Sequence, residues 1–343
     1  MMPSDPLIEV ANAFFVEPYR IEWIGGSSGY SDSRFAKITD RQGQLWCLRE
    51  WTNAIAERMR FIHQVLIHSR THGFVGLPRL ACTQTGETLL SHNGVWFEAQ
   101  EWLTGGPRYQ LQMSVVNERI PNTAWNFTTA ERQAVTTALA TFHASTATLQ
   151  SASTKSSLHT QMLAIAEQGQ SQAPAAVAIC HAGSSSEDPM LVARWRSLLP
   201  IMMNVLQARL TASWEERDDG NVICHGDLWP DHVYFNSGAF RGFVDFGALA
   251  FTTPALDLAQ LILHFGGWQS YDEVLAMYTN SRPLSTSDRD IIPIVALFDL
   301  VSEGYWSLGQ LCNDSTPAHE QAAHRHNLRF FLPSAKALVK EFS

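Results

Sequence analysis

The chain lacks several features, and each absence narrows its chemistry. Across 343 residues there is no uninterrupted apolar run of the roughly 18 residues that a membrane-spanning helix needs. The opening Met1-Met2-Pro3-Ser4-Asp5-Pro6 carries no basic region followed by an apolar stretch, so no secretory signal is expected and the expected location is cytoplasmic. Cysteine is sparse. Cys47, Cys82, Cys180, Cys224 and Cys312 are scattered, odd in number and without metal-type spacing, and read as buried thiols in a reducing compartment. Positive charge is also short, with 24 Lys and Arg against 33 Asp and Glu and a net charge of −9. Nucleic-acid and anionic-membrane partners demand clustered cations, so neither is expected, whereas a cationic or neutral small molecule is compatible with this balance. No internal repeat is visible, and no Ser-His-Asp or Cys-His spacing suggests a nucleophile.

Apolar residues make up 45% of the chain, enough at this length for two substantial cores. The most informative stretch is 222–259. It reads Val222-Ile223-Cys224-His225-Gly226-Asp227-Leu228-Trp229-Pro230-Asp231-His232-Val233-Tyr234-Phe235, then Asn236-Ser237-Gly238, then Phe240-Arg241-Gly242-Phe243-Val244-Asp245-Phe246-Gly247. β-Formers at 222–224, 233–235 and 243–244, with Asn-Ser-Gly between the last two runs, predict a strand, a loop and a hairpin. Asp227 and Asp245 each fall where a strand ends. A hairpin at 236–239 is expected to bring both carboxylates to one side of a cleft. Such an arrangement suits phosphoryl transfer, one carboxylate orienting or deprotonating a hydroxyl and the other holding the metal on nucleotide phosphates.

On these residues the chain resembles the aminoglycoside phosphotransferase and choline kinase family, whose pattern is His-Gly-Asp-x-x-x-x-Asn, a strand pair, an Asp-containing strand end and an Asp-Pro-x-x-Asp-Leu-Ala helix start. The last element stands here as Thr253-Pro254-Ala255-Leu256-Asp257-Leu258-Ala259. The resemblance implies an α+β, bilobal protein-kinase-like fold, with a small antiparallel β-sheet lobe bearing a helix and a larger, mainly helical lobe. It implies Asp227 as catalytic base, Asp245 as magnesium ligand and Asp257 as the structural acid that anchors the catalytic loop. The family's usual metal-binding Asn falls on His232, as in the macrolide phosphotransferase branch. The cofactors implied are ATP (or GTP) and Mg²⁺, with Mn²⁺ as an alternative.

The first hundred residues fit the small lobe. Strand patterns at 19–24 and 34–39 flank Gly25-Gly26-Ser27-Ser28-Gly29, a link whose amides can approach phosphates closely. A third strand, 44–49, ends on Arg49, the position at which kinase-like proteins carry a phosphate-contacting lysine. A guanidinium keeps the charge and forks onto two oxygens. A helix over 54–69 offers Glu57 as the partner of Arg49. Ser91-His92-Asn93-Gly94 is a hairpin turn, and the strand through Glu101-Trp102-Leu103 leads into Thr104-Gly105-Gly106-Pro107. By resemblance, Glu101 and Leu103 mark the hinge whose backbone meets the adenine. The lobes are therefore placed at 1–103, clamping nucleotide, and 104–343, catalytic and acceptor-binding.

Beyond Thr128 the chain reads as mainly helical, with a capped start at Thr128-Thr129-Ala130-Glu131. His143 reads as a satisfied core histidine. Pro333 is expected to end a helix over 317–331 before a last short one. Asp272, Glu273, Asp299, Glu303, Tyr305 and Trp306 are grouped as an acidic, aromatic pocket for an amine or sugar. The function expected is an ATP-dependent O-phosphotransferase for a small hydroxylated, amine-bearing molecule. Arg49 and His232 leave open a pseudokinase that binds nucleotide or a small ligand without transfer.

Overall fold

The computed structural model describes residues 6–17, 19–26, 34–51, 56–107, 127–149, 162, 189–212, 221–313 and 316–342. The chain divides into two compact units, one comprising 1–107 with 233–247 and the other 108–232 with 248–343.

In the first unit, helix α1 (Pro6–Phe14) precedes strands β1 (Arg20–Gly26), β2 (Arg34–Thr39) and β3 (Leu45–Trp51). Helix α2 (Ala56–Thr71) follows, then β4 (Leu89–His92) and β5 (Val95–Glu101). The five strands form one antiparallel sheet in the order β1-β2-β3-β5-β4. Its core gathers Leu7, Val10 and Phe14 of α1 with Ile38, Leu48, Phe97 and Ala99 of the sheet. Burying each of the larger side chains contributes on the order of 1.5–3 kcal/mol. Asn93 (φ 52°) and Gly94 (φ 79°) make the tight β4–β5 turn that the sequence predicts.

A second, three-stranded sheet in this unit pairs β6 (Gly106–Pro107) with β8 (Val233–Asn236) and β8 with β9 (Ala239–Phe243). Ser237 (φ 51°) and Gly238 (φ 81°) supply the left-handed backbone of its two-residue hairpin loop. The hairpin is fastened to this unit because the Phe243 amide donates to the Gly76 carbonyl at 3.0 Å and the Phe74 and Phe243 rings lie 6.1 Å apart.

In the second unit, α3 (Thr129–Ser145) starts on a capping box in which Thr128 accepts from the Glu131 amide and Glu131 accepts from the Thr128 amide. Helix α4 (Pro189–Ala212) leads to β7 (Val222–Cys224), which pairs with β10 (Ala250–Thr252). Helices α5 (Ala255–Phe265), α6 (Tyr271–Ser281), α7 (Thr286–Leu311) and α8 (Ala318–Phe342) complete the described part. Pro254 precedes α5, where a missing amide hydrogen costs nothing. By length and composition α7 could cross a membrane, with mean hydropathy 1.4 over 18 residues, yet half of that window is buried within the protein.

Two expectations are corrected. Pro333 does not end a helix: α8 runs through it, because Leu328, Phe331 and Leu332 before it and Ala335 and Leu338 after it are all buried, and that packing outweighs one lost backbone bond. Nor are the cysteines uniformly buried thiols. Cys224 is buried, Cys47 is half-buried, Cys82 is exposed and Cys312 is disulfide-bonded.

Candidate active site

The loop between β7 and β8 carries Asp227, and one face of α5 holds that loop by its backbone. Asp257, Gln260 and His264 are spaced three and four apart, so they share a helix face. The amides of His225 and Gly226 donate to the two Asp257 oxygens at 2.7 and 2.8 Å. The Leu228 amide donates to Gln260 Oε1 at 2.8 Å, and Gln260 Nε2 donates to the Gly226 carbonyl at 3.4 Å. His264 Nδ1 donates to the Leu228 carbonyl at 3.1 Å. Gly226 sits at φ 80°, and a Cβ there would lie 2.2 Å from the Ala248 carbonyl oxygen, so only glycine fits. The backbone is thus fixed on both sides of Asp227 while its side chain remains 40% exposed. That combination leaves a positioned carboxylate open to a ligand.

Asp257 is fully buried and still ionised. Burial pushes its pKa up, but His143 Nε2 at 3.0 Å and the loop amides outweigh that and hold it below the ordinary value. His143 is neutral. Desolvation pushes it down against the pull of Asp257, and the Tyr278 hydroxyl, whose pKa burial raises well above the ordinary value, donates to its Nδ1 at 2.8 Å. The expectation of a satisfied core histidine is borne out. Cys224 lies within 4.8 Å of the His143 and Asp257 ligand atoms, but every nitrogen and oxygen in this trio is engaged, and Cys224 Sγ donates to the Thr253 carbonyl at 3.3 Å. The cluster is therefore a loop anchor and not a metal site.

His232 closes the loop. Its Nδ1 donates to the Asp227 carbonyl at 2.7 Å and lies 3.5 Å from Asp227 Oδ2, so that nitrogen carries hydrogen and only Nε2 is suited to a metal. His225 Nδ1 accepts from the Asp227 amide at 3.3 Å, consistent with shaping the loop.

In the first unit, Asp245 follows β9 at φ 61°, a left-handed backbone that a non-glycine residue adopts at a cost of about 1 kcal/mol or more. Arg49 Nη1 lies 3.7 Å from Asp245 Oδ1, and its guanidinium sits 3.9 Å from the centre of the Trp51 ring. The Trp51 indole donates to Glu98 Oε1 at 2.9 Å, and the buried Glu98 also accepts from His63 Nε2 at 2.6 Å. The carboxylate partner of Arg49 is Asp245 and not Glu57. The helix residue that reaches this segment is Arg58, whose Nη2 donates to the Gly247 carbonyl at 2.9 Å.

The other expected nucleotide residues also lie in the first unit. Gly25 and Gly26 end β1, where the pairing with β2 shifts register between Trp23 and Gly26. Gly29 lies outside the described residues. The Glu101 carboxylate is committed to Arg79 at 3.0 Å, and its amide donates to the Arg79 carbonyl at 2.7 Å. Leu103 packs its side chain over Gly242, where a Cβ would approach Leu103 Cδ1 to 2.8 Å.

The proposed acidic, aromatic pocket divides. Glu273 pairs with Arg132 at 2.8 Å in a cavity of about 350 Å³ also lined by Phe127, Phe265 and Phe330. Asp299 and Glu303 instead stand one turn apart on α7, where Asp299 Oδ2 meets His264 Nε2 at 2.9 Å. Glu303 accepts from Ser307 and Asn327, and burial holds its carboxyl above the usual range. Sequence reasoning missed Gln260, His264 and Arg58. Two polar side chains at helical spacing after Asp257, on an otherwise apolar helix, were the available signal.

Three comparisons bear on this geometry. A homoserine kinase of Gluconacetobacter diazotrophicus is 31% identical over 133 residues, spanning 36% of this chain and 38% of that protein, so well under half of the curated relative is matched. The fold of a spectinomycin phosphotransferase in complex with ADP and spectinomycin superposes with a TM-score of 0.67 at 13% identity, covering 98% of this chain and 99% of the other. An aminoglycoside phosphotransferase of Alicyclobacillus acidocaldarius gives 0.63 at 17% identity over 99% and 98%. The structural likenesses establish a shared kinase-like fold. With residues 22–283 matched by the family model, the chain belongs to the APH phosphotransferase enzyme family.

Proposed function

We propose that this protein is an ATP-dependent O-phosphotransferase acting on a small, hydroxylated, amine-bearing acceptor. The observation that carries the reading is the clamped His225-Gly226-Asp227 loop, with its backbone bonded to α5 and the Asp227 carboxylate exposed. The hydroxyl oxygen of the acceptor forms the new bond to phosphorus, the bond to the nucleoside diphosphate breaks, and Asp227 orients the hydroxyl and takes its proton. ATP would supply the phosphoryl group, and Mg²⁺ held by the site would screen its charge. Asp245, a part-exposed carboxylate, offers the hard oxygen ligand that Mg²⁺ prefers, and His232 offers Nε2, which suits Mn²⁺ better. Arg49 would balance phosphate charge and, by pairing with Asp245, orient that ligand. Gly25 and Gly26 would offer backbone to the phosphates, and the chain at Glu101 and Leu103 would meet the base.

An amine on the acceptor is supported by the net charge of −9 and by the likeness to a homoserine kinase, itself named for an amino-alcohol substrate. The Arg49–Asp245 ion pair supports a second reading, nucleotide binding without transfer, because it engages the carboxylate assigned to the metal. Screening amino alcohols, including homoserine, with aminoglycosides, macrolides and sugars for acceptor-dependent ATP or GTP consumption separates the two. The first reading requires turnover with at least one amine-bearing alcohol. Metal-dependent nucleotide binding with no turnover across the library supports the second.

A further inference from the structure

We propose that His264 and Asp299 form a positioning pair that holds one extra proton and sets the geometry of the catalytic loop from helix α7. This rests on the reading of Asp227 as catalytic. His264 is fully buried, with Trp229 of the loop 4.2 Å away ring to ring and Phe331 of α8 at 5.3 Å. Both ring nitrogens face oxygen acceptors: Nδ1 meets the Leu228 carbonyl at 3.1 Å and Nε2 meets Asp299 Oδ2 at 2.9 Å. A carbonyl can only accept, so Nδ1 carries hydrogen. A neutral imidazole then has a bare Nε2, whose lone pair would oppose a carboxylate. Both contacts coexist only if a further proton lies between Nε2 and Oδ2. Imidazole is the stronger base of the two, so the proton sits on nitrogen and the pair is an imidazolium with its carboxylate.

Leu228 directly follows Asp227, so the carbonyl that His264 grips belongs to the peptide next to the proposed base. Its amide is held by Gln260, and only His264 reaches its oxygen among the described residues. The charged neighbours are consistent with a cation here. From α7 these are Asp299 and Glu303; the loop contributes Asp227, Asp231 and His232 within four residues of Leu228; the α8 contact is the uncharged Phe331. Asp299 is itself 21% exposed, so the pair reaches from the buried loop contact to the surface of α7.

Nitrogen-15 NMR of histidine-labelled protein, with the His264 signals assigned by their loss in His264→Asn, tests the proton inventory directly. At pH 7.5 both ring nitrogens of His264 should be protonated; a single protonated nitrogen overturns the proposal, whether or not any acceptor is turned over. Kinetics with an accepted substrate give the second arm. Asp299→Ala should lower kcat about tenfold or more with little change in nucleotide KM, in line with a lost orienting contact. Asp299→Asn, whose amide can donate to a bare Nε2, should recover most of that loss. Equal kcat in Asp299→Ala and wild type, or no recovery of kcat in Asp299→Asn, would overturn it. If no acceptor is phosphorylated, the catalytic reading fails while the NMR result still decides the pair.

Discussion

The Gly226 amide donates to Asp257 Oδ1 at 2.8 Å across 31 residues of sequence, and this contact explains why the glycine cannot be replaced. The backbone at φ 80° turns the amide towards α5 and leaves no room for a Cβ beside Ala248. Gly226→Ala is expected to cost at least about 1–3 kcal/mol from the left-handed backbone alone, with the clash added. Denaturant unfolding should show the loss. Stability equal to wild type would mean that the loop takes another path.

Asp257→Ala leaves two loop amides and His143 without their shared acceptor. Because the unpaired groups are buried, the expected destabilisation is about 3–5 kcal/mol, well beyond that of an ordinary surface change. Asp257→Asn, which keeps one acceptor oxygen, should lose less. A thermal shift series over the two variants and wild type checks this ordering.

Acid should unfold the second unit earlier than carboxylate titration alone predicts. Burial pushes His324 and His326 down to about 4, against roughly 6.5 in an unfolded chain. Between those values the unfolded chain binds protons that the folded one does not, so stability is full above about pH 6.5 and is lost as pH falls towards 4. Each ring should account for on the order of 2 kcal/mol. His324→Gln should flatten the slope of unfolding free energy between pH 6.5 and 4.5, and an identical slope would contradict the burial argument.

Asp245→Ala should abolish the metal-dependent part of thermal stabilisation by ATP, since it removes the proposed oxygen ligand from a cation that binds oxygen. Arg49→Ala should weaken nucleotide binding with and without metal. Calorimetric titration separates the two effects, and an unchanged metal–ATP affinity in Asp245→Ala would reassign that residue to pairing with Arg49 alone.

His232 sets metal preference if its Nε2 is a ligand. Nitrogen favours manganese over magnesium relative to an amide oxygen, so the Mn²⁺/Mg²⁺ activity ratio should fall in His232→Asn. The same ratio in both proteins would leave His232 with its observed role, donating to the Asp227 carbonyl.

The parts legible in sequence were those written in local patterns. Alternation and turn chemistry marked the β4–β5 hairpin and the Ser237-Gly238 turn, and a Thr with Glu three residues on marked the start of α3. The loop anchor Asp257 was legible through its resemblance to a family pattern. Gln260 and His264 were not, because their partners are backbone groups of a distant loop, and nothing in a helical period says which polar residue faces inward. Arg49 illustrates the same limit. Its expected partner was the nearest helix acid, whereas the hairpin brings Asp245, almost 200 residues later, to 3.7 Å. Pro333 shows the limit in another way, since its local breaking strength is outweighed by the buried residues on either side of it.

The central claim is that Asp227 performs phosphoryl transfer, and Asp227→Asn tests it most directly in a single-turnover assay with an acceptor found by screening. The substitution preserves shape and leaves the loop amides on Asp257, so nucleotide affinity and melting temperature should stay near wild type. The rate of transfer should fall by about 10²–10⁴, the usual contribution of a positioned general base. Transfer in Asp227→Asn at the wild-type rate, with folding and nucleotide binding intact, would contradict the account.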